Sequence, residues 1–146
     1  MIAFELVRNA PKGTQLPIRK TKGSAGYDFV MPRTVTFQPN KMVLVKTNVK
    51  ALMPKSWFLM LVPRSSLFKK YNLIMPNSVG IIDEDYYGNV DNDGNICIQL
   101  LNIGEEAVTV KEGEAVIQGI FQRFGTCDDD YVSDIRVGGL GSTGRK

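Results

Sequence analysis

An aspartate and a tyrosine three residues apart, Asp83 and Tyr86, lie in the stretch Gly80-Ile81-Ile82-Asp83-Glu84-Asp85-Tyr86-Tyr87-Gly88-Asn89-Val90, a charged turn between two apolar runs. Side chains of an extended segment alternate between faces, so Asp83 shares a face with apolar Ile81. That spacing predicts a half-buried, rigidly held carboxylate. Such a group can act as a general base on a water, while a tyrosine beside it can stack on a flat ring.

A second constellation lies near the C-terminus. Glycines at 138, 139, 141 and 144 let successive backbone N–H groups turn inward, and Arg136, Ser142, Thr143 and Arg145 add guanidinium and hydroxyl donors. This set suits a phosphate chain. It is not a Walker loop, which needs Gly-Lys-Ser/Thr at the opening of a helix. Weighed alone, the composition describes a solubilising tail more readily than a phosphate site.

Three further segments read differently alone and together. Pro63-Arg64-Ser65-Ser66-Leu67 puts an arginine and two hydroxyls where a strand gives way to a helix. Alone it is a helix cap, with Ser65 as the capping residue. Ala25-Gly26-Tyr27-Asp28-Phe29 reads as a strand with one outward-facing acid, and Gln118 as a polar residue on the solvated face of an apolar strand.

Composition limits the chemistry these residues can do. There is no histidine, which removes His-based triads, His general bases and most zinc sites. Acid–base work falls to Asp, Glu, Lys or Tyr. A net charge of +3 is too mild to argue for duplex nucleic acid and suits an anionic small molecule equally well. Two cysteines and no apolar leader point to a reducing, cytoplasmic compartment, and no apolar run is long enough to cross a membrane.

The elements that must position these groups are almost all strands. Apolar runs fall at 2–7, 34–37, 42–49, 57–62, 96–101, 107–110 and 115–124, separated by turn signals at the short spacing of a sandwich or barrel. Only 65–71 predicts a helix, with Leu67 and Tyr71 four apart on one face. From about Gly125 the chain offers little to bury. The expected division is a β domain over 1–125 and a flexible glycine-rich arm over 126–146.

Taken in order, these segments resemble the five motifs of the trimeric dUTP diphosphatase (dUTPase) family: Ala25-Gly26-Tyr27-Asp28, Pro63 to Leu67, Gly80 to Val90, Gly113 to Ile120 and Arg136 to Gly144. The second, third and fifth are specific. The resemblance implies an all-β, jelly-roll-like β-clip subunit in a homotrimer, with each site built from all three chains and the arm acting on a neighbour's site. It implies hydrolysis of dUTP to dUMP and pyrophosphate. Asp83 would be the base for in-line attack of water on the α-phosphorus, and Tyr86 would pack on the deoxyribose. Arg64, Ser65 and Ser66 would hold phosphates, and Asn77 with backbone near Ile82 would read uracil. Asp28 and Gln118 would support a Mg²⁺-bound triphosphate through water or phosphate. Arg136, Leu140, Gly141, Ser142 and Thr143 would close over the substrate.

Several positions depart from the family pattern. Leu140 stands where a base-stacking Phe is usual, and Tyr87 where an Arg commonly follows the third-motif Tyr. The fourth motif keeps only Gly113 and Gln118. Residues 91–95 resemble an added hairpin tip turning at Asp93-Gly94. A dCTP deaminase of related fold, or a phage-type dUTPase that also binds a repressor, are the alternatives.

Overall fold

The computed structural model describes residues 1–139; Leu140, Gly141, Ser142, Thr143 and Arg145, expected in the arm's phosphate site, lie outside them. The described chain forms strands β1 (Ala3–Leu6), β2 (Tyr27–Val30), β3 (Val35–Phe37), β4 (Met42–Lys46), β5 (Val49–Leu52) and β6 (Trp57–Pro63). Helix α1 (Ser65–Tyr71) follows, then β7 (Leu73–Ile74), β8 (Gly80–Asp83), a 3₁₀ turn over Glu84–Tyr86, β9 (Cys97–Asn102), β10 (Val108–Val110) and β11 (Ala115–Arg123).

All the pairings are antiparallel. The sheets are β2-β11-β6-β8, β4-β9-β7 and the pairs β1-β5 and β10-β3. Alternation explains most of them: β9 and β5 point every second side chain inward, and Phe29, Leu59, Leu61 and Ile117 meet Val45, Leu73, Ile98 and Leu100 in one core. Gly119 is required at the centre of β11, because a Cβ there would lie 2.9 Å from the Phe29 ring and 3.0 Å from Leu59. A register shift between Ala115 and Ile117 turns Val116 and Ile117 both inward.

Two expectations change here. The apolar run 42–49 is not one strand: Asn48 adopts a left-handed φ of 64°, and the chain switches from β4, paired with β9, to β5, paired with β1. Ser65 is not the cap of α1. Arg64 occupies that position in extended conformation with no side-chain cap bond, leaving Ser65 and Ser66 exposed at the helix start. The helix is held instead by buried Leu67 and ends at left-handed Asn72, whose N–H donates to the Phe68 carbonyl.

Candidate active site

β8 carries Asp83 to the edge of the four-stranded sheet. Ile81 and Asp83 do share a face, as expected, but it is the outer one; Ile82 points to the core and Ile81 is 53% exposed. Asp83 is about half-buried, as expected, at the rim of a cleft that Phe124, Val132, Ile135 and Val137 also line. Its side chain is 52% exposed, and an ion pair holds it: Arg136 Nη2 lies 2.6 Å from its carboxylate and Arg136 Nε 2.8 Å from that of Asp85. The same guanidinium sits 5.8 Å above the Tyr86 ring.

Tyr86 is fixed by its burial and its hydroxyl. It is 4% exposed, donates to the Asn95 carbonyl at 2.7 Å and accepts from Asn92 Nδ2 at 2.7 Å. Burial pushes its hydroxyl pKa above the ordinary tyrosine value. The Asp93-Gly94 turn that supports this has positive φ at both residues, 58° and 77°, and a Cβ on Gly94 would come within 2.7 Å of the Tyr86 carbonyl oxygen. It is not the tip of a hairpin, however, since β8 pairs with β6 and β9 with β4 and β7. Its polar side chains are spent inside the chain: Asp93 on Lys50 and the Arg8 amide, Asn92 on Tyr86, Asn95 on the Asn48 amide. Tyr87 takes a structural part, with its hydroxyl 2.6 Å from Glu5 and Lys50 Nζ 4.8 Å from its ring.

A second cluster forms at the far end of β6. Asp28, Gln118 and Val62 stand side by side across β2, β11 and β6. Asp28 does not face outward to solvent. It is 8% exposed, with the Arg64 Nε 3.3 Å from its carboxylate, and Arg64 Nη1 donates to the Ala115 carbonyl at 3.3 Å. Gln118 crosses directly over Gly26, where a Cβ would lie 2.3 Å from its Oε1. Ser65 and Ser66 are exposed beside this cluster. Below it, Glu114 ties β11 to α1 by accepting from Tyr71 and Lys70. The Tyr71 hydroxyl, with the Lys111 amide and Lys70, holds its carboxyl below the ordinary range.

The two clusters do not meet within one chain. Asp83 is paired with Phe58, and Arg64 follows Pro63 at the opposite end of β6, six residues on and on the order of 20 Å away. Arg64 also leans toward β2, across β6 from β8. Between them the outer face carries an apolar band of Met60, Ile81 and Ile120. Asn77 sits in the turn before β8, donating to the Val79 carbonyl at 3.0 Å. As an edge strand, β8 presents alternate backbone groups around Ile82 away from β6.

The arm departs from one expectation. Its apolar surface is not small: Tyr131, Val132, Ile135 and Val137 are each more than 80% exposed. Its Arg136 lies on Asp83 of its own chain, which the 12 residues between β11 and Arg136 are ample to reach. Gly138 and Gly139 continue onto the same turn, accepting from Asn89 Nδ2 and donating to Asp91 at 3.1 Å. Asp85, Asn89 and Asp91 are candidate site residues that sequence reasoning missed; the run of acids and amides after Asp83 was their only trace.

Comparison with known proteins bears on this arrangement. The dUTPase family profile matches residues 12–144. A deoxyuridine 5′-triphosphate nucleotidohydrolase of Lactococcus lactis is 42% identical over 146 residues, covering 97% of this chain and 96% of its own. The mouse protein of that name is 33% identical, covering 88% of this chain and 78% of its own. The crystal structure of a Streptococcus mutans dUTPase aligns with a TM-score of 0.81 at 40% identity, over 86% of this chain and 98% of that one. A phage phi11 dUTPase that coordinates a structural Mg(II) ion has a TM-score of 0.73 at 21% identity, a likeness of fold, covering 92% of this chain and 97% of its own.

Proposed function

The chain belongs to the dUTPase family and hydrolyses dUTP, and we propose that it does so with Asp83 as base at sites that homotrimer subunits share. The separation of the two clusters carries this reading. Asp83 must reach a water at the α-phosphorus while Arg64, Ser65 and Ser66 hold the phosphates, and one chain keeps these groups at opposite ends of β6. A neighbouring subunit can bring its Arg64 cluster to the Asp83 end. The apolar outer face between them, with Ile81 half exposed, and the uncovered arm residues Val132, Ile135 and Val137 are surface that self-association would cover.

Within that site each residue has a physical task. Asp83 accepts the proton of the attacking water, so Arg136 must give up its contact there when substrate binds. Tyr86, locked by Asn92 and Asn95, offers a rigid ring against which a deoxyribose packs and a 2′-hydroxyl does not. Asn77 and the β8 backbone near Ile82 read the uracil edge. Asp28 orients Arg64 through its Nε, leaving the other guanidinium nitrogens for phosphate.

Mg²⁺ fits the donor set if the triphosphate itself supplies most ligands. Among the described residues no group of three or more Cys, Asp or Glu gathers to hold an ion, and Asp28 is already engaged by Arg64. Asp28 and Gln118 would then act through bound water, as Mg²⁺ commonly allows. The ion would offset phosphate charge and polarise the reacting phosphoryl group. The arm's Arg136, with Leu140, Gly141, Ser142 and Thr143, closes over the phosphates.

No described helix is long and apolar enough to cross a membrane, and Cys97 and Cys127 are unpaired. We place the enzyme in the cytoplasm. Binding of a repressor through residues 91–95 finds little support, because Asn92, Asp93 and Asn95 are engaged within the chain. The test is pyrophosphate release from dUTP with Mg²⁺ beside dCTP, dTTP and UTP. Release from dUTP alone is expected; ammonia from dCTP would contradict it.

A further inference from the structure

We infer that Asp85 is a positioning residue, which seats Arg136 by its Nε so that the two terminal nitrogens can pass from Asp83 to the substrate's phosphates. The side chain is not a loose surface charge. Arg136 is only 10% exposed, gripped by two carboxylates that are each about half exposed, with the Tyr86 ring beneath it. The two contacts differ in kind. Nη2 goes to Asp83, the proposed base, and that contact must break for the base to meet a water. Nε goes to Asp85, which has no part in proton transfer, and this contact can persist while Nη1 and Nη2 turn to phosphate oxygens.

The 3₁₀ turn Glu84–Tyr86 explains why Asp85 and not Glu84 does this. After extended Asp83 the chain coils once, placing Asp83 and Asp85 within reach of one guanidinium, while Glu84 makes no hydrogen bond or ion pair among the described residues. The backbone beyond Arg136 is seated separately, Gly138 by Asn89 and Gly139 by Asp91. The turn from 83 to 91 is thus a cradle for the arm, and Asp85 is its charged anchor.

The kinetic part of this inference rests on Asp83 being the base; the contact itself does not. The experiment therefore has two readouts on Asp85→Asn, Asp85→Glu, Arg136→Ala, the Asp85→Asn/Arg136→Ala double variant and a Glu84→Gln control. The first is tryptic cleavage after Arg136 in nucleotide-free protein, resolved by mass spectrometry. Asp85→Asn should speed it roughly two- to fivefold, Asp85→Glu should restore slow cleavage at least in part, and Glu84→Gln should match wild type.

The second readout is turnover of dUTP. Asp85→Asn should lower kcat by a similar factor with KM unchanged or lower, since the arm closes less often while a repelling carboxylate near the phosphates is gone. In the Arg136→Ala background the same substitution should have no further effect. Wild-type cleavage and kcat in Asp85→Asn, faster cleavage with unchanged kcat, or full additivity with Arg136→Ala would each overturn the inference. Should the wild-type chain release no pyrophosphate, the reading of the reaction fails, and the trypsin comparison still decides whether Asp85 seats Arg136.

Discussion

Asp83 stands half exposed at a sheet edge, kept in place by an arginine. A carboxylate so placed is accessible to water, and the cost is that a competing cation must leave first. Asp83→Asn keeps the shape but cannot accept a proton, so turnover should fall by ~10²–10⁴-fold with dUTP binding retained. Steady-state kinetics with equilibrium dUTP binding checks this; near wild-type turnover would remove Asp83 from the base position. Tyr86 needs two substitutions, because ring and hydroxyl do different things. Tyr86→Phe leaves the buried Asn95 carbonyl and Asn92 amide without their partner, and should lower unfolding free energy by about 1–3 kcal/mol while keeping the preference for dUTP over UTP. Tyr86→Ala should lose that preference as well. Denaturant midpoints and the ratio of kcat/KM for the two nucleotides separate the outcomes.

At the scale of elements, what was legible in the sequence was what local pattern controls. Helix 65–71 falls on α1 because its ends are marked by Pro63 and the left-handed Asn72, and β6, β9 and β11 lie within a residue or two of their alternating runs. The two-residue β7 leaves no periodicity to read, and the break at Asn48 depends on pairing partners 43 to 59 residues away. The same limit governed the site. Asp83, Tyr86 and Arg64 could be singled out by type, whereas the partners that orient them, Arg136 for Asp83 and Asp28 for Arg64, are set by tertiary contact. The tie between α1 and β11 gives a test at this scale. The Tyr71 bond, Lys111 amide and Lys70 lower the Glu114 pKa in the folded chain. Its stabilising effect is therefore fully present above the ordinary value near 4.5 and is lost as pH falls through the lowered folded value. Wild type should be more stable than Glu114→Gln at pH 7, and the gap should close on acidification below that range, as read from urea midpoints against pH. The arm is a separate element. Cutting after Gly125 removes contacts made chiefly through Arg136, Gly138 and Gly139, so the remainder should fold with wild-type secondary structure and lose ~10²-fold in kcat. Circular dichroism and pyrophosphate release on the truncated chain test both halves of that statement.

For the whole molecule, the sheet order bears on the proposed assembly. Strands β2-β11-β6-β8 put the Asp28–Arg64–Gln118 cluster and the Asp83–Tyr86–Arg136 cluster on one sheet but at its opposite ends, with an apolar band between. On the proposed reading a single chain presents two half-sites to different neighbours, and a closed ring of subunits would match every half to its complement. The most direct test is to unfold Asp83→Asn and Arg64→Ala subunits together, refold them, and assay dUTP hydrolysis by the mixed oligomers. Neither parent should be active. If Asp83 and Arg64 of one site come from different chains, the mixture should regain roughly a quarter of wild-type activity, the share of sites at which two intact halves meet in a statistical ring. Mixed oligomers verified by tag capture that stay at parental activity, or a protein that elutes as an active monomer, would contradict the shared site.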